Sequence, residues 1–265
     1  MPLTIFSTAS ILLLCWFAVR FEDSTPDCRS PLISGLTMTL PALYPIIDFS
    51  CFATKPDPIW AIVRYAEELI SAGATLIQLR DKSLASTATQ PAQENPTRRF
   101  LSCARELRRV TWGIGRKPRA SLIINDRVDI CLAAEADGVH LGQNDPSPES
   151  ARRIFDQVKD GKTRVIGFST HNLAQVREAD TLPVDYIAIG PVFATGSKAN
   201  PDPVVGLEGL MQARRVTKKP LVAIGGITRQ NCSQVKAAGA DAVAVISDLL
   251  ESPAKAVADF LRVLG

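Results

Sequence analysis

Leu221-Val222-Ala223-Ile224 is a short, continuously apolar run, and Gly225-Gly226-Ile227-Thr228 turns the chain away from it. Arg229–Ala238 then has helical spacing, Gly239 closes it, and Ala242–Ile246 is apolar again. Strand, glycine turn, helix and strand make one βαβ unit, with the continuous apolar runs expected of strands covered on both faces. The chain repeats this unit upstream. Leu43–Ile47, Leu76–Leu79, Leu122–Ile124, Gly138–His140, Val165–Phe168 and Tyr186–Ile189 read as further strands. Apolar spacing predicts helices at Trp60–Ala72, Phe100–Thr111, Val128–Ala134, Ser147–Val158, Leu173–Ala179, Leu207–Val216 and Ala254–Leu264. The fragment Ala72-Gly73-Ala74-Thr75 recurs as Glu135-Ala136-Asp137-Gly138 and as Ala238-Gly239-Ala240-Asp241, each time a helix end, a tight turn and a strand start. Eight such units in one domain fit a closed (β/α)8 barrel, the TIM barrel, better than an open sheet.

Composition agrees with one globular domain. The chain has 265 residues, 22% charged and 46% hydrophobic, and a net charge of +3. No dense Lys/Arg block marks a nucleic-acid surface. The six cysteines lack metal-type spacing and read as reduced thiols of a cytoplasmic protein; two histidines are too few for a multi-histidine zinc site. Residues 1–37 differ from the rest. Leu3–Val19 is apolar and Arg20, Glu22 and Asp23 follow. Three readings stand: translation starts at Met38 and the segment is not native, the segment is a membrane-seeking leader, or it is a disordered extension. The expected division is an N-terminal extension at 1–37 and a barrel at 38–265. The polar, proline-bearing stretch Leu84–Arg98 reads as an enlarged loop after the second strand, either a surface insertion or a lid.

In such barrels, chemistry sits at the carboxyl ends of the strands, and charged motifs lie there. Ile124-Asn125-Asp126 and Gly142-Gln143-Asn144-Asp145 end the third and fourth strands. An aspartate there either caps the helix behind it or holds metal. Two at neighbouring ends, beside Arg80 and Lys82, favour magnesium, which takes a few carboxylates plus substrate oxygens and water. Gln78, Arg80 and Lys82 alternate along an extended segment, so they share a face and form a polyanion clamp, while Asp81 points away. Ser169 either binds a diphosphate or caps the next helix. His171 reads as a loop histidine. Gly190-Pro191-Val192-Phe193-Ala194-Thr195-Gly196-Ser197-Lys198 supplies a turn, two hydroxyls and a cation after the sixth strand. Gly225-Gly226 and Ile246-Ser247 stand where barrels of this kind bind phosphate.

Gln78-Leu79-Arg80-Asp81-Lys82, Ile124-Asn125-Asp126, Gly138-Val139-His140-Leu141-Gly142-Gln143-Asn144-Asp145, the Gly190–Lys198 turn and Ile224-Gly225-Gly226-Ile227 together resemble the thiamine phosphate synthase family, from about Leu43 to the C-terminus and in the family's order. The resemblance implies a transferase that joins a hydroxymethylpyrimidine diphosphate to a thiazole phosphate, with Mg2+, and releases diphosphate. It implies that Gln78, Leu79, Arg80, Asp81, Lys82 and Asn125 bind the pyrimidine diphosphate, that Asp126 and Asp145 hold magnesium, and that Ser169 and Lys198 touch the diphosphate. Thr195, Gly196, Ser197, Gly226, Ile246 and Ser247 would hold the thiazole phosphate, and Arg80, Lys82, Ser169 and Lys198 would serve catalysis. The partners implied are these small molecules and no nucleic acid, with a membrane only if Leu3–Val19 is an anchor; a homo-oligomer is left open. The leader and the long 84–98 loop depart from the family pattern, as does Asp248 after Ser247. The related thiazole tautomerase and a non-catalytic phosphate-binding barrel are the alternatives; the aspartate pair speaks against both.

Overall fold

The protein is described from a computed structural model covering residues 33–34, 37–82, 95–113, 119–196 and 202–265. Eight parallel strands alternate with eight helices: β1 (Leu43–Asp48), α1 (Pro58–Ser71), β2 (Leu76–Arg80), α2 (Pro96–Trp112), β3 (Ser121–Asn125), α3 (Val128–Ala133), β4 (Gly138–Leu141) and α4 (Pro148–Gln157). The second half continues with β5 (Val165–Thr170), α5 (Leu173–Thr181), β6 (Tyr186–Ile189), α6 (Gly206–Val216), β7 (Leu221–Ile224), α7 (Cys232–Ala237), β8 (Ala242–Val245) and α8 (Pro253–Leu264). Each strand pairs with the next, and β8 closes on β1 with Val243 opposite Leu43, so the sheet is the expected (β/α)8 barrel.

Side-chain alternation divides the core into two layers. Leu43, Ile47, Ile77, Leu79 and Ile124 face outward onto Ile62, Leu69, Phe100, Leu107 and Phe260 of the helices. Tyr44, Ile46, Leu76, Ile123, Val165, Tyr186 and Val222 fill the barrel interior. The large Tyr186 ring fits because residue 167 is glycine: a Cβ there would lie 2.0 Å from Tyr186 Cζ. Local signals start and stop the helices. Asp57 and Ser147 accept from the backbone N–H groups of Trp60 and Ser150, each followed by a proline in the first turn. Gly73 (φ 110°) and Gly239 (φ 105°) carry the left-handed turns that the repeated Ala-Gly-Ala fragments predict.

At the amino ends of the strands the same polar clasp occurs three times. Asp137 Oδ2 accepts from Leu122 N–H (2.8 Å) and from Arg108 (3.0 Å). Asp185 accepts from Ile166 N–H (2.7 Å) and Arg152 (2.6 Å), and Asp241 from Leu221 N–H (2.7 Å) and Arg214 (2.8 Å). Each joins an odd strand, the residue ahead of the next even strand, and the helix preceding the odd one.

Two expectations are adjusted. The helix expected at Arg229–Ala238 begins only at Cys232, because Asn231 turns its side chain back on the loop, accepting from Thr228 N–H (2.8 Å) and donating to the Gly226 carbonyl (3.0 Å). The long loop ends at Asn95, which caps α2; residues 83–94 lie outside the described residues. So does most of the 1–37 segment; its described parts, Ile33–Ser34 and Thr37–Met38, pair as a short antiparallel ribbon apart from the barrel. Among the described residues no helix is long and apolar enough to cross a membrane.

Candidate active site

A cavity of about 450 Å³ opens at the carboxyl ends of the strands. Alternation along β2 sends Gln78, Arg80 and Lys82 into it and turns Leu79 and Asp81 outward. Leu79 is packed in the helix-facing layer, and Asp81 is buried against Arg99 (3.4 Å). Arg80 is not a free clamp: its guanidinium pairs with Asp48 at the end of β1. Lys82 Nζ lies 2.5 Å from Asp126 Oδ2.

Asp126 occupies the left-handed region (φ 63°) immediately after β3, a conformation that Asp and Asn tolerate better than most side chains. Its N–H donates to the His140 carbonyl (2.8 Å). This places its carboxyl beside that of Asp145, whose Oδ2 also accepts from Gly142 N–H (2.7 Å). Burial, and then the hydrogen bond with Asp145, push the Asp126 carboxyl up to about 6, against the downward pull of Lys82. Asn125 Nδ2 is buried without a hydrogen-bond partner among the described residues, and its side chain lines the cavity. A buried amide donor without a partner costs the fold about 1–3 kcal/mol unless a ligand takes it up.

The opposite wall is backbone. Gly225 (φ 101°) and Gly226 (φ 62°) line the cavity, and a Cβ at either would come within 2.6 Å of the loop after β6, at Pro191 Cα and the Ala194 carbonyl respectively. That loop is zipped onto β7: Val192 N–H donates to the Ile224 carbonyl (2.9 Å) and Phe193 N–H to the Gly225 carbonyl (3.0 Å). Ile246 and Ser247 complete the wall. Asp248 faces away from it, holding the backbone N–H of Arg229 (2.8 Å) and its guanidinium. Charged groups thus occupy the β2–β4 side, and a glycine turn with little side chain occupies the β7–β8 side.

A family model described as thiamine monophosphate synthase matches residues 51–249. The chain belongs to the thiamine monophosphate synthase family. It is 47% identical over 233 residues to a thiamine-phosphate synthase of Koribacter versatilis, covering 88% of this chain and 99% of that one. It is 40% identical over 192 residues to one of Clostridium novyi, covering 72% and 84%. The solved structure of thiamine phosphate pyrophosphorylase from Pyrococcus furiosus superimposes with a TM-score of 0.66 at 32% identity, covering 84% of this chain and 95% of that one.

Of the residues singled out in this family member's sequence, Gln78, Arg80, Lys82, Asn125, Asp126, Asp145, Ser169, Thr195, Gly226, Ile246 and Ser247 line one cavity. Leu79, Asp81 and Gly196 are not in its wall, and Ser197 and Lys198 lie outside the described residues. The cavity also takes in residues to which sequence reasoning gave no role. His140 and Gln143 come from β4 and the turn after it. His171, read as a loop histidine, comes with Gln175 from the β5 side; its Nδ1 lies 2.8 Å from the Gly190 carbonyl and 3.4 Å from Asp202. The available signal for His140 was its inward register, two residues from Gly138 and Gly142 along one strand face.

Proposed function

We propose that this chain is a thiamine phosphate synthase that joins a hydroxymethylpyrimidine diphosphate to a hydroxyethylthiazole phosphate and releases diphosphate. One observation carries the reading: a single cavity holds two separate anion environments, one of cations and facing carboxylates, the other of glycine backbone. Two phosphorylated substrates with different charge fit that division, and membership of the family supports it.

The donor set suits magnesium. Asp126 and Asp145 supply carboxylate oxygens side by side, and no group of three or more His, Cys, Asp or Glu is gathered among the described residues. A hard cation held by two carboxylates completes its shell with substrate oxygens and water. When bound, magnesium neutralises charge on the departing diphosphate. Lys82 and Arg80 add positive charge on the same side, Ser169 donates to a diphosphate oxygen, and Lys198 stabilises the leaving group from the loop after β6. Asn125 gives its unpartnered amide hydrogen to the pyrimidine diphosphate. On the far wall, the Gly225–Gly226 turn with Ile246 and Ser247 holds the thiazole phosphate through backbone N–H groups. The pyrimidine's own ring amine stabilises the carbocation left when diphosphate departs, and the thiazole nitrogen attacks it. This substitution needs no protein nucleophile. The same reading has the enzyme act in the cytoplasm.

The test is to incubate the purified chain with both substrates, with and without magnesium, and to follow thiamine phosphate and diphosphate. Equimolar, magnesium-dependent formation of both is expected. Absence of product, with thiazole tautomerisation in its place, would transfer the chain to the rival reaction.

A further inference from the structure

A chain of neutral hydrogen-bonding groups crosses the barrel interior under the cavity. Gln78 Nε2 donates to Tyr44 Oη (2.9 Å), and Tyr44 Oη lies 2.9 Å from Tyr186 Oη. Tyr186 Oη lies 2.9 Å from His140 Nδ1, and His140 Nε2 lies 2.8 Å from Ser169 Oγ. The two ends, Gln78 and Ser169, line the cavity; Tyr44 and Tyr186 are buried. Tyr44, Tyr186 and His140 are all buried, where desolvation favours the neutral form of each link.

Hydrogen counting fixes the direction of such a chain. Each phenol has one hydrogen. With the Gln78 amide donating to Tyr44, the Tyr44 hydrogen goes to Tyr186. The Tyr186 hydrogen then goes to His140 Nδ1, and the neutral imidazole carries its own hydrogen on Nε2, directed at Ser169 Oγ. The Ser169 hydroxyl hydrogen is thereby released to the cavity, while Gln78 keeps its Oε1, which makes no hydrogen bond among the described residues, as an acceptor. Turning the amide over reverses every link: Gln78 would then present N–H to the cavity and Ser169 a lone pair. A mixed state leaves a buried donor or acceptor unmatched.

We propose that Tyr44, Tyr186 and His140 are positioning residues forming a relay that sets Gln78 and Ser169 jointly, as acceptor and donor. The cavity therefore selects a ligand that brings a hydrogen-bond donor to Gln78 and an anion to Ser169. This rests on the cavity being the aminopyrimidine diphosphate site: the ring amine is the donor and the diphosphate the anion. A pyrimidine with an oxo group in place of the amine brings an acceptor to Gln78, and the relay opposes it.

The chain has two histidines, so nitrogen NMR of the full-length protein with labelled histidine reads His140 directly, assigned by the loss of its signals in His140→Asn. The wild-type protein is expected to show the Nε2–H tautomer. Gln78→Glu, measured at pH 8, supplies only acceptors to Tyr44, and is expected to convert His140 to the Nδ1–H tautomer from across the barrel. Adding Tyr186→Phe is expected to abolish that response. In kinetics, Tyr186→Phe alone is expected to raise the KM for the pyrimidine diphosphate and to reduce discrimination against its oxo analogue, each by about tenfold, the effect of one hydrogen bond. The KM for the thiazole phosphate should not move. If Tyr186→Phe does not fold, Tyr44→Phe cuts the same chain. An Nδ1–H tautomer in the wild type, or a tautomer indifferent to Gln78→Glu, overturns the relay, as does unchanged discrimination. Failure of the substrate reading looks different: no turnover of the aminopyrimidine diphosphate, with the tautomer responses intact.

Discussion

The Asp126–Asp145 pair gives the sharpest test of the site, because it predicts that a substitution abolishing activity stabilises the protein. Asp126 titrates near 6 in the fold, mainly through burial and then through Asp145. Its value in the unfolded chain is near the ordinary 3.8. The sign follows: the folded state holds the proton more tightly, so stability is highest below about 4 and falls as pH rises through about 6, staying low above it. Two pH units at about 1.4 kcal/mol each set an upper bound of roughly 3 kcal/mol. The Asp126 side chain is 21% exposed, and screening by water reduces the effect to about 1–2 kcal/mol. Asn is the right replacement, since it keeps the shape and accepts φ 63°, whereas Ala adds about 1 kcal/mol of backbone strain. Urea denaturation of wild type and Asp126→Asn in chelator should show the two close at pH 4 and the variant ahead by about 1–2 kcal/mol at pH 8. Magnesium should then stabilise the wild type at pH 8 and leave the variant nearly unmoved, while the variant loses most turnover. A stability difference that is flat between pH 4 and pH 8 refutes the electrostatic account; a variant with near-normal turnover refutes the metal assignment.

Asp145→Ala should likewise lose orders of magnitude in rate while costing the fold about 1 kcal/mol, seen as turnover against urea midpoint. Lys198→Ala should lower kcat more than it raises the KM for thiazole phosphate; a change in that KM alone moves Lys198 to the other half of the cavity. Gly167→Ala places a Cβ 2.0 Å from Tyr186 Cζ, and should destabilise by roughly 3 kcal/mol; a urea midpoint equal to wild type would show that the ring gives way. A chain beginning at Met38 should keep the melting temperature and specific activity of the full-length form, because β8 closes directly on β1; an inactive or insoluble product assigns the extension to the fold.

The barrel was legible because its strands are short apolar runs whose neighbours are also next in sequence. What was not legible required a partner's position. Thr170 extends β5 beyond its apolar run because its hydroxyl donates to the Ala188 carbonyl (2.9 Å), a contact that periodicity does not announce. The delayed start of α7 depends on Asn231 serving the glycine turn. The charged half of the site could be read from β2, where alternation alone aims Gln78, Arg80 and Lys82 together. The pairing of Arg80 with Asp48, and the phenol chain joining Tyr44 to a residue 142 positions away, could not be read from spacing.

The three clasps at the amino ends of the strands bear on the order in which the barrel assembles. Each is complete within a short contiguous segment: Arg108 reaches Asp137 across 29 positions, Arg152 reaches Asp185 across 33, and Arg214 reaches Asp241 across 27. Such contacts are within reach early, before distant parts of the chain meet. The β8–β1 seam, which pairs Val243 with Leu43, has in the corresponding place a backbone bond from Val243 N–H to the Ala42 carbonyl, as the β2–β3, β4–β5 and β6–β7 seams have theirs, and no carboxylate among the described residues. The polar chemistry therefore marks out three of the strand pairs as units that can form locally, whereas the β8–β1 seam joins the two ends of the barrel sequence and is expected to close last. On amide hydrogen exchange, the protons shared between β8 and β1 are the ones expected to be released first.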